Sequence, residues 1–341
     1  MAITVCTNCV NFGSYVICND PEGIYISGSF THNGPRGINP THAMGESRAY
    51  IAGGEGTPVG PGGNCAITRF QFASGFSSAA IVGCLDKGRH GGAGSSSSTH
   101  GYVAGGRAPA AKGGQYNDAI DKFQFADSAN ATDVGDLTYG RCDNAGAMST
   151  TKGYAAGGRF PEVDNIDKFP FASDTNATDS GDLICEFSKQ MGHSSRTHAY
   201  FTGGTPSARA TTIQKFSFAS EGNASDVGEL TRDHVQHACA NSGESGYAAG
   251  GFLGNQSTKC KSIDKFPFAT DSGASNIGNL TTVRVQQTGV SSFTHGYSIS
   301  GNPPSSGSPT VEFYSFASDA DAIDTGGFAC FQHTSGHGHQ C

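Results

Sequence analysis

Apolar and polar positions alternate in short runs along this chain, and clusters of Gly, Ser, Thr, Asn and Asp break the runs. Ile120-Asp-Lys-Phe-Gln-Phe-Ala126 is one such run, with Phe123 and Phe125 two residues apart. A period of two predicts a strand, because successive side chains leave a strand on opposite faces. The run recurs as Ile67-Thr-Arg-Phe-Gln-Phe-Ala73, Ile166-Asp-Lys-Phe-Pro-Phe-Ala172, Ile213-Gln-Lys-Phe-Ser-Phe-Ala219, Ile263-Asp-Lys-Phe-Pro-Phe-Ala269 and Val311-Glu-Phe-Tyr-Ser-Phe-Ala317. Each copy follows a second phrase, Tyr-x-x-Gly-Gly or a close variant, whose tyrosines are Tyr50, Tyr102, Tyr154, Tyr200, Tyr247 and Tyr297. A third phrase, Asn130-Ala-Thr-Asp-Val-Gly-Asp-Leu137, has copies ending at Leu183, Leu230 and Leu280.

The spacings separate scaffold from loop. From Leu85, Leu137, Leu183, Leu230 and Leu280 to the next repeat tyrosine the step is 17 every time. From each tyrosine to its own following aromatic the step ranges from 15 to 21. Packed strands hold their spacing, while solvent loops tolerate insertion. The variable segment is therefore the one directly after Gly-Gly.

Four strands are expected per repeat of about 49 residues: a small-residue strand such as 145–150, the Tyr-x-x-Gly-Gly strand, the aromatic strand, and a strand at Asp-Val-Gly-Asp-Leu. That period and strand count predict an all-β fold, with each repeat a blade of a β-propeller. The last copy runs on to a further small-residue strand at 331–339, which needs partners. Residues 1–40 contain two further strand patterns, Asn11–Cys18 and Gly23–Gly28. The expectation is a seven-bladed ring, six regular blades plus one closed by both termini, or six blades with residues 1–40 as an N-terminal arm. Residues 41–341 form the propeller in either case.

The order apolar run, Gly-Gly, variable loop, aromatic strand, turn, Leu and then Arg (Arg141, Arg232, Arg284) resembles the kelch repeat. The usual kelch Trp is replaced by Val, Ile or Ser before Gly-x-Leu, so the resemblance is to a divergent kelch-like β-propeller. The Phe-x-Phe-Ala-Ser and Asn-Ala-Thr-Asp-Val-Gly-Asp-Leu phrases also resemble repeats of virion-associated proteins of marine bacteriophages. The resemblance covers residues 40–341 and implies a structural or binding role.

Composition agrees with short strands and tight turns: 50 Gly, 22 Phe, 11 Tyr, no Trp and 15% charged residues among 341. Coiled coils and helical bundles need far more Leu, Glu and Lys. A net charge of −8 without any basic run gives no general attraction to nucleic acid or anionic lipid. The start, Met1-Ala-Ile-Thr-Val-Cys6, has neither a basic segment nor a long apolar core, so no signal peptide and no membrane insertion are expected. Eleven cysteines, an odd number in a large chain, argue against a full disulfide framework.

The C-terminal cluster Cys330, His333, His337, His339 and Cys341 is the metal candidate, since His and Cys ligate transition metals. No other cofactor is expected. Asn-Ala-Thr-Asp reads as a turn in which Asn and Asp bond their own backbone, and the recurring lysines (Lys122, Lys168, Lys215, Lys265) as stems over aromatics with heads in water. Residues repeated in every blade are structural. The binding candidates lie in the variable loops: Arg107, Lys112, Tyr116, Arg159, Phe160, Glu162, Arg209, Phe252 and Lys259. The expected function is a non-enzymatic virion structural or binding protein, a phage tail, fibre or surface component. Its partners would be other virion proteins and a host-surface glycan or protein, and its location the virion after synthesis in the host cytoplasm. A cytoplasmic kelch-type interaction module is the alternative. An enzyme is disfavoured because no acid/base pair stands out.

Overall fold

The computed structural model describes residues 48–54, 65–72, 79–108, 114–206, 208–254, 256–299, 301 and 310–326 with their side chains. It describes the backbone of residues 3–6, 9–12, 15–20, 23–27, 207, 327 and 337–340. Strands β1 (Ile3–Cys6), β2 (Cys9–Phe12), β3 (Tyr15–Asp20) and β4 (Gly23–Ser27) form a four-stranded antiparallel sheet of their own. The first blade contains β5 (Arg48–Ala52), β6 (Ala66–Gln71) and β7 (Ala80–Cys84). The second is β8 (Ala93–Ser96), β9 (His100–Ala104), β10 (Ala119–Gln124) and β11 (Thr132–Asp136). The third is β12 (Ala145–Met148), β13 (Lys152–Ala156), β14 (Asn165–Pro170) and β15 (Thr178–Asp182). The fourth is β16 (Met191–Ser194), β17 (His198–Thr202), β18 (Thr212–Ser217) and β19 (Ser225–Glu229). The fifth is β20 (Ala238–Asn241), β21 (Ser245–Phe252), β22 (Lys259–Pro267) and β23 (Ser275–Asn279), and the sixth is β24 (Thr288–Ser291), β25 (His295–Ile299), β26 (Thr310–Ser315) and β27 (Ile323–Gly327).

The last strand, β28 (His337–Gln340), completes the first blade by pairing with β5, His339 opposite Tyr50. The inner strands β28, β8, β12, β16, β20 and β24 each touch two neighbours, so six blades close a ring. The N-terminal strands do not build a seventh blade. They pair only among themselves in the sheet order, and the terminal inner strand finds its partner in the first blade.

Close approach at the axis explains the small inner residues. A Cβ on Gly146 would fall on the Gly94 carbonyl oxygen, one on Gly192 on that of Gly146, and one on Gly289 on that of Cys239. The Gly-Gly pair has a different role. The first glycine is left-handed (φ 68° at Gly53, 70° at Gly105, 59° at Gly157), a conformation costly for residues with a Cβ. The second then donates its N–H into the next blade, Gly106 to Arg141 at 2.8 Å and Gly158 to Phe187 at 2.7 Å.

An aromatic pair joins each blade to the next, stacked in five cases and tilted at 31° in Tyr50–Phe125. Tyr50–Phe125, Tyr102–Phe171, Tyr154–Phe218, Tyr200–Phe268, Tyr247–Phe316 and Tyr297–Phe72 have ring centroids 4.7–5.0 Å apart. Such pairs contribute roughly 0.5–1.5 kcal/mol each beyond area burial. The Asn-Ala-Thr-Asp phrase is only partly a local turn. Asp133, Asp179 and Asp226 do accept from the N–H two residues on. The asparagines reach the previous blade instead, where Asn176 Oδ1 accepts from Asp136 N at 3.1 Å and Asn223 Oδ1 from Asp182 N at 3.2 Å. The lysine heads likewise meet carboxylates of the next blade, Lys122 with Asp174 at 2.8 Å and Lys215 with Asp271 at 2.7 Å.

Candidate recognition face

Among the described residues, the five segments between an outer strand and the next inner strand build one mouth of the axial channel. Six residues after each conserved-spacing leucine sit Gly91, Asp143, Lys189, Gln236 and Gln286. All five are left-handed, with φ from 55° to 67°. Each of the last four donates its N–H to the carbonyl of the one before: Asp143 to Gly91, Lys189 to Asp143 at 2.8 Å, Gln236 to Lys189 at 3.1 Å and Gln286 to Gln236 at 2.9 Å. A chain of backbone hydrogen bonds thus runs around the mouth. Left-handed backbone at four non-glycine residues costs free energy and persists only where the surroundings fix it; here the girdle fixes it.

Beneath the girdle lies a pit of mixed lining, about 670 Å³ counting its open mouth, walled by Asn144, Gln190, Gln287, Cys239, Met191 and the inner-strand glycines. The wall amides also tie blades together. Asn144 Nδ2 donates to Ala104 O, Gln190 Nε2 to Ala156 O and Gln287 Nε2 to Ala249 O, each at 3.3 Å. Cys239 occupies the register where other described blades place glycine, and burial pushes its thiol up to about 11.

Among the described residues, four variable loops are rooted at this mouth. Arg107 bridges to His90, Arg159 to Cys142, Thr205 to Ser188 and Phe252 to Val235, each partner being the residue just before a girdle position. Four of the loop residues singled out from the sequence come together. Tyr116 and Phe160, from adjacent blades, stack at 4.7 Å and 18°. The Arg107 guanidinium lies 5.7 Å from the Tyr116 ring and that of Arg159 4.9 Å from the Phe160 ring. Arg159 Nε also donates to Asp143 Oδ2 at 2.6 Å, anchoring the stack to the girdle. Phe160 remains 48% exposed. Lys189 reaches Gln256 at 2.5 Å; burial, and then the neighbouring Arg159 charge, lower its pKa.

The remaining loop candidates stand apart from that stack. Glu162 is exposed, Arg209 is exposed at a 3₁₀ turn (Ser207–Arg209), and Phe252 and Lys259 face each other across the extended β21–β22 hairpin. Lys112 lies outside the described residues, as do Cys330, His333 and Cys341. His337 and His339 lie on β28, opposite Ala52 and Tyr50. Their side chains fall outside the described part, so the metal candidate does too.

Below the face, four blades bury an ion pair at the same place. Arg89 meets Asp121 at 3.1 Å, Arg141 meets Asp167 at 3.1 Å, Arg284 meets Glu312 at 2.9 Å, and His234 meets Asp264 at 3.4 Å. The slot is four residues after the leucine, so its fifth-blade occupant is His234 and not Arg232, which is exposed. At the junction with the fourth blade, Phe187 and Gln214 hold these two positions: cation and anion are lost together. Gln214 keeps the shared task of accepting the N–H that follows the leucine, from Ile184 at 2.9 Å, as Asp121 does from Asp86 at 2.9 Å.

His234 belongs to a wholly buried group. His193 Nε2 shares a hydrogen bond with Thr202 Oγ1 at 2.9 Å, and Thr202 Oγ1 another with His237 Nε2 at 3.1 Å. Burial holds His193 down at about 4 and His237 well below the usual imidazole range. Burial would lower His234 as well, but Asp264 and Cys260 outweigh it and raise it to about 9.

Sequence reading missed the girdle, although its fixed step of six after the leucine is visible in the chain. Nothing in the pattern says that these residues meet, because the meeting is a property of the ring. Compared with known proteins, the chain matches no protein-family model and no curated protein. Among the described residues no helix is long and apolar enough to cross a membrane.

Proposed function

We infer that this chain is a non-enzymatic recognition protein that binds through the loop-bearing mouth of its propeller. One observation carries the reading: the inter-blade clasps repeat around the ring, while the loops differ in length and content and four of them, among the described residues, are rooted at a single mouth. An unvarying frame with one varied rim is how binding surfaces are set on rigid scaffolds. The Arg107–Tyr116–Phe160–Arg159 stack beside the pit supplies aromatic edges and cations on that rim, suited to a host-surface glycan or protein.

The setting we propose is a virus particle. The kelch-like order of each repeat and its likeness to repeats of marine phage virion proteins support this, with the opposite face docking to other virion proteins as part of a tail, fibre or surface structure. Mass spectrometry of purified virions from the source culture tests it: peptides of this chain at structural copy number are expected. Their absence, with recovery of the chain in a cytosolic complex, would replace the proposal with an intracellular interaction module. Binding of the purified protein to intact host cells tests the face itself. Phe160→Ala and Lys189→Glu are expected to weaken binding at least fivefold while the protein keeps a single cooperative unfolding transition; unchanged binding by both variants would refute the assignment.

A further inference from the structure

The N-terminal sheet holds three cysteines that no role above uses. Register places Cys6 on β1 opposite Cys9 on β2, and Cys9 opposite Cys18 on β3. The three form one row across adjacent strands. Directly opposed residues share a face of the sheet. The neighbouring row, Val5, Val10, Ile17 and Ile26, belongs to the other face, along with Ile3 and Phe12. The cysteines share their face with Thr4, Asn11, Val16, Asp20, Tyr25 and Ser27. Period two therefore places the three cysteines on one face and most of the aliphatic residues on the other.

The two opposed pairs differ in kind. Strands β1 and β2 are joined by two residues, and such a connection is closed by a hydrogen-bonded pair, here Cys6 and Cys9. Strands β2 and β3 are also joined by two residues, closed by Phe12 and Tyr15. Hydrogen-bonded and non-hydrogen-bonded pairs alternate along an antiparallel ladder. Counting back through Asn11–Val16 and Val10–Ile17 makes Cys9–Cys18 a non-hydrogen-bonded pair. Opposed Cα atoms lie about 4.5 Å apart in such pairs and about 5.5 Å in hydrogen-bonded ones, with the side chains closer in the former. Both distances fall inside the disulfide window of roughly 4.4–6.8 Å. The shorter one, which also closes the longer loop, is the better placed for a stable bridge.

We propose that Cys9 and Cys18 are an oxidisable pair that forms a cross-strand disulfide while Cys6 remains a thiol. With a small disulfide such as glutathione disulfide as oxidant, the Cys9 thiolate attacks one of its sulfurs and expels a glutathione thiolate. The Cys18 thiolate then attacks the Cys9 sulfur of the mixed disulfide and expels the second. Two protein thiols lose two electrons and two protons, and the oxidant becomes two thiols. The bridge staples β2 to β3 under oxidising conditions and opens under reducing ones.

The test uses the full chain, equilibrated in a glutathione redox buffer, alkylated with iodoacetamide and digested with chymotrypsin without reduction. Cleavage after Phe12 and Tyr15 parts Cys18 from the other two cysteines. The expected product is a peptide pair linked through Cys9 and Cys18 with Cys6 alkylated, retained in Cys6→Ser and lost in Cys18→Ser. A Cys6–Cys9 bridge as the main product, or alkylation of both Cys9 and Cys18 in excess glutathione disulfide, would overturn the assignment. Host-cell binding by Cys18→Ser reads the mouth separately, so failure of one proposal is distinguishable from failure of the other.

Discussion

The Arg141–Asp167 pair shows what a buried charge does here. Both side chains are fully buried, and Arg141 also donates to the Ala155 carbonyl at 3.0 Å. Arg141→Met removes the ion-pair partner of the buried Asp167 and leaves it only the Thr138 N–H and hydroxyl, which is expected to cost about 3–5 kcal/mol in urea unfolding. The double variant Arg141→Phe with Asp167→Gln copies the Phe187 and Gln214 arrangement of the neighbouring junction and is expected to recover most of that loss. If the double variant is as unstable as the single one, the two junctions are not equivalent. His234 adds a pH dependence. Its folded pKa of about 9 lies above the unfolded value near 6.5, so its contribution is full below pH 6.5 and disappears as pH rises through 9. His193, held near 4, acts in the opposite sense, with stability present above 6.5 and lost as pH falls towards 4. His234→Arg is expected to flatten the alkaline decline of the unfolding midpoint while leaving the acid decline in place.

At the scale of the element, an inner strand is defined less by its side chains than by what it lacks. Gly192 admits the Gly146 carbonyl, and Gly289 admits that of Cys239. Gly192→Val is expected to lower stability by about 1–3 kcal/mol, the usual cost of overpacking, read as a drop in melting temperature. Cys239→Gly, which restores the residue of the other described blades, is expected to change stability by no more than about 1 kcal/mol. The outer strands differ again. Their Asp-x-Gly turns are local, but the asparagines ahead of them bind the previous blade, so each outer strand is half of an inter-blade joint.

For the whole molecule, closure is the decisive interaction. The first blade takes its inner strand from the far end of the chain, and the Tyr297–Phe72 stack, centroids 4.8 Å apart, joins the sixth blade to the first. Deleting residues 337–341 removes β28 and leaves β5 unpaired on its inner side. The truncated chain is expected to lose its single cooperative thermal transition and to aggregate through the exposed edge, checked by calorimetry and size-exclusion chromatography. A truncated protein that melts in one transition at the original temperature would show that the ring does not depend on this strand.

The chain by itself specified the blade. The period-two aromatic run, Gly-Gly and the invariant 17-residue step from leucine to tyrosine each follow from backbone geometry inside one repeat, so they are legible as a local pattern. The loop-borne Arg107, Tyr116, Arg159 and Phe160 were legible for the same reason, as departures from that pattern. The pairing of β28 with β5, the girdle of left-handed residues, the asparagine clasps and the standing of His234 as the counterpart of arginine were decided only in three dimensions. The first joins the two ends of the chain within one blade and the others are contacts between blades, and no repeat carries a record of which partner it will meet. Ring closure creates those neighbours, and with them the mouth on which the proposed function rests.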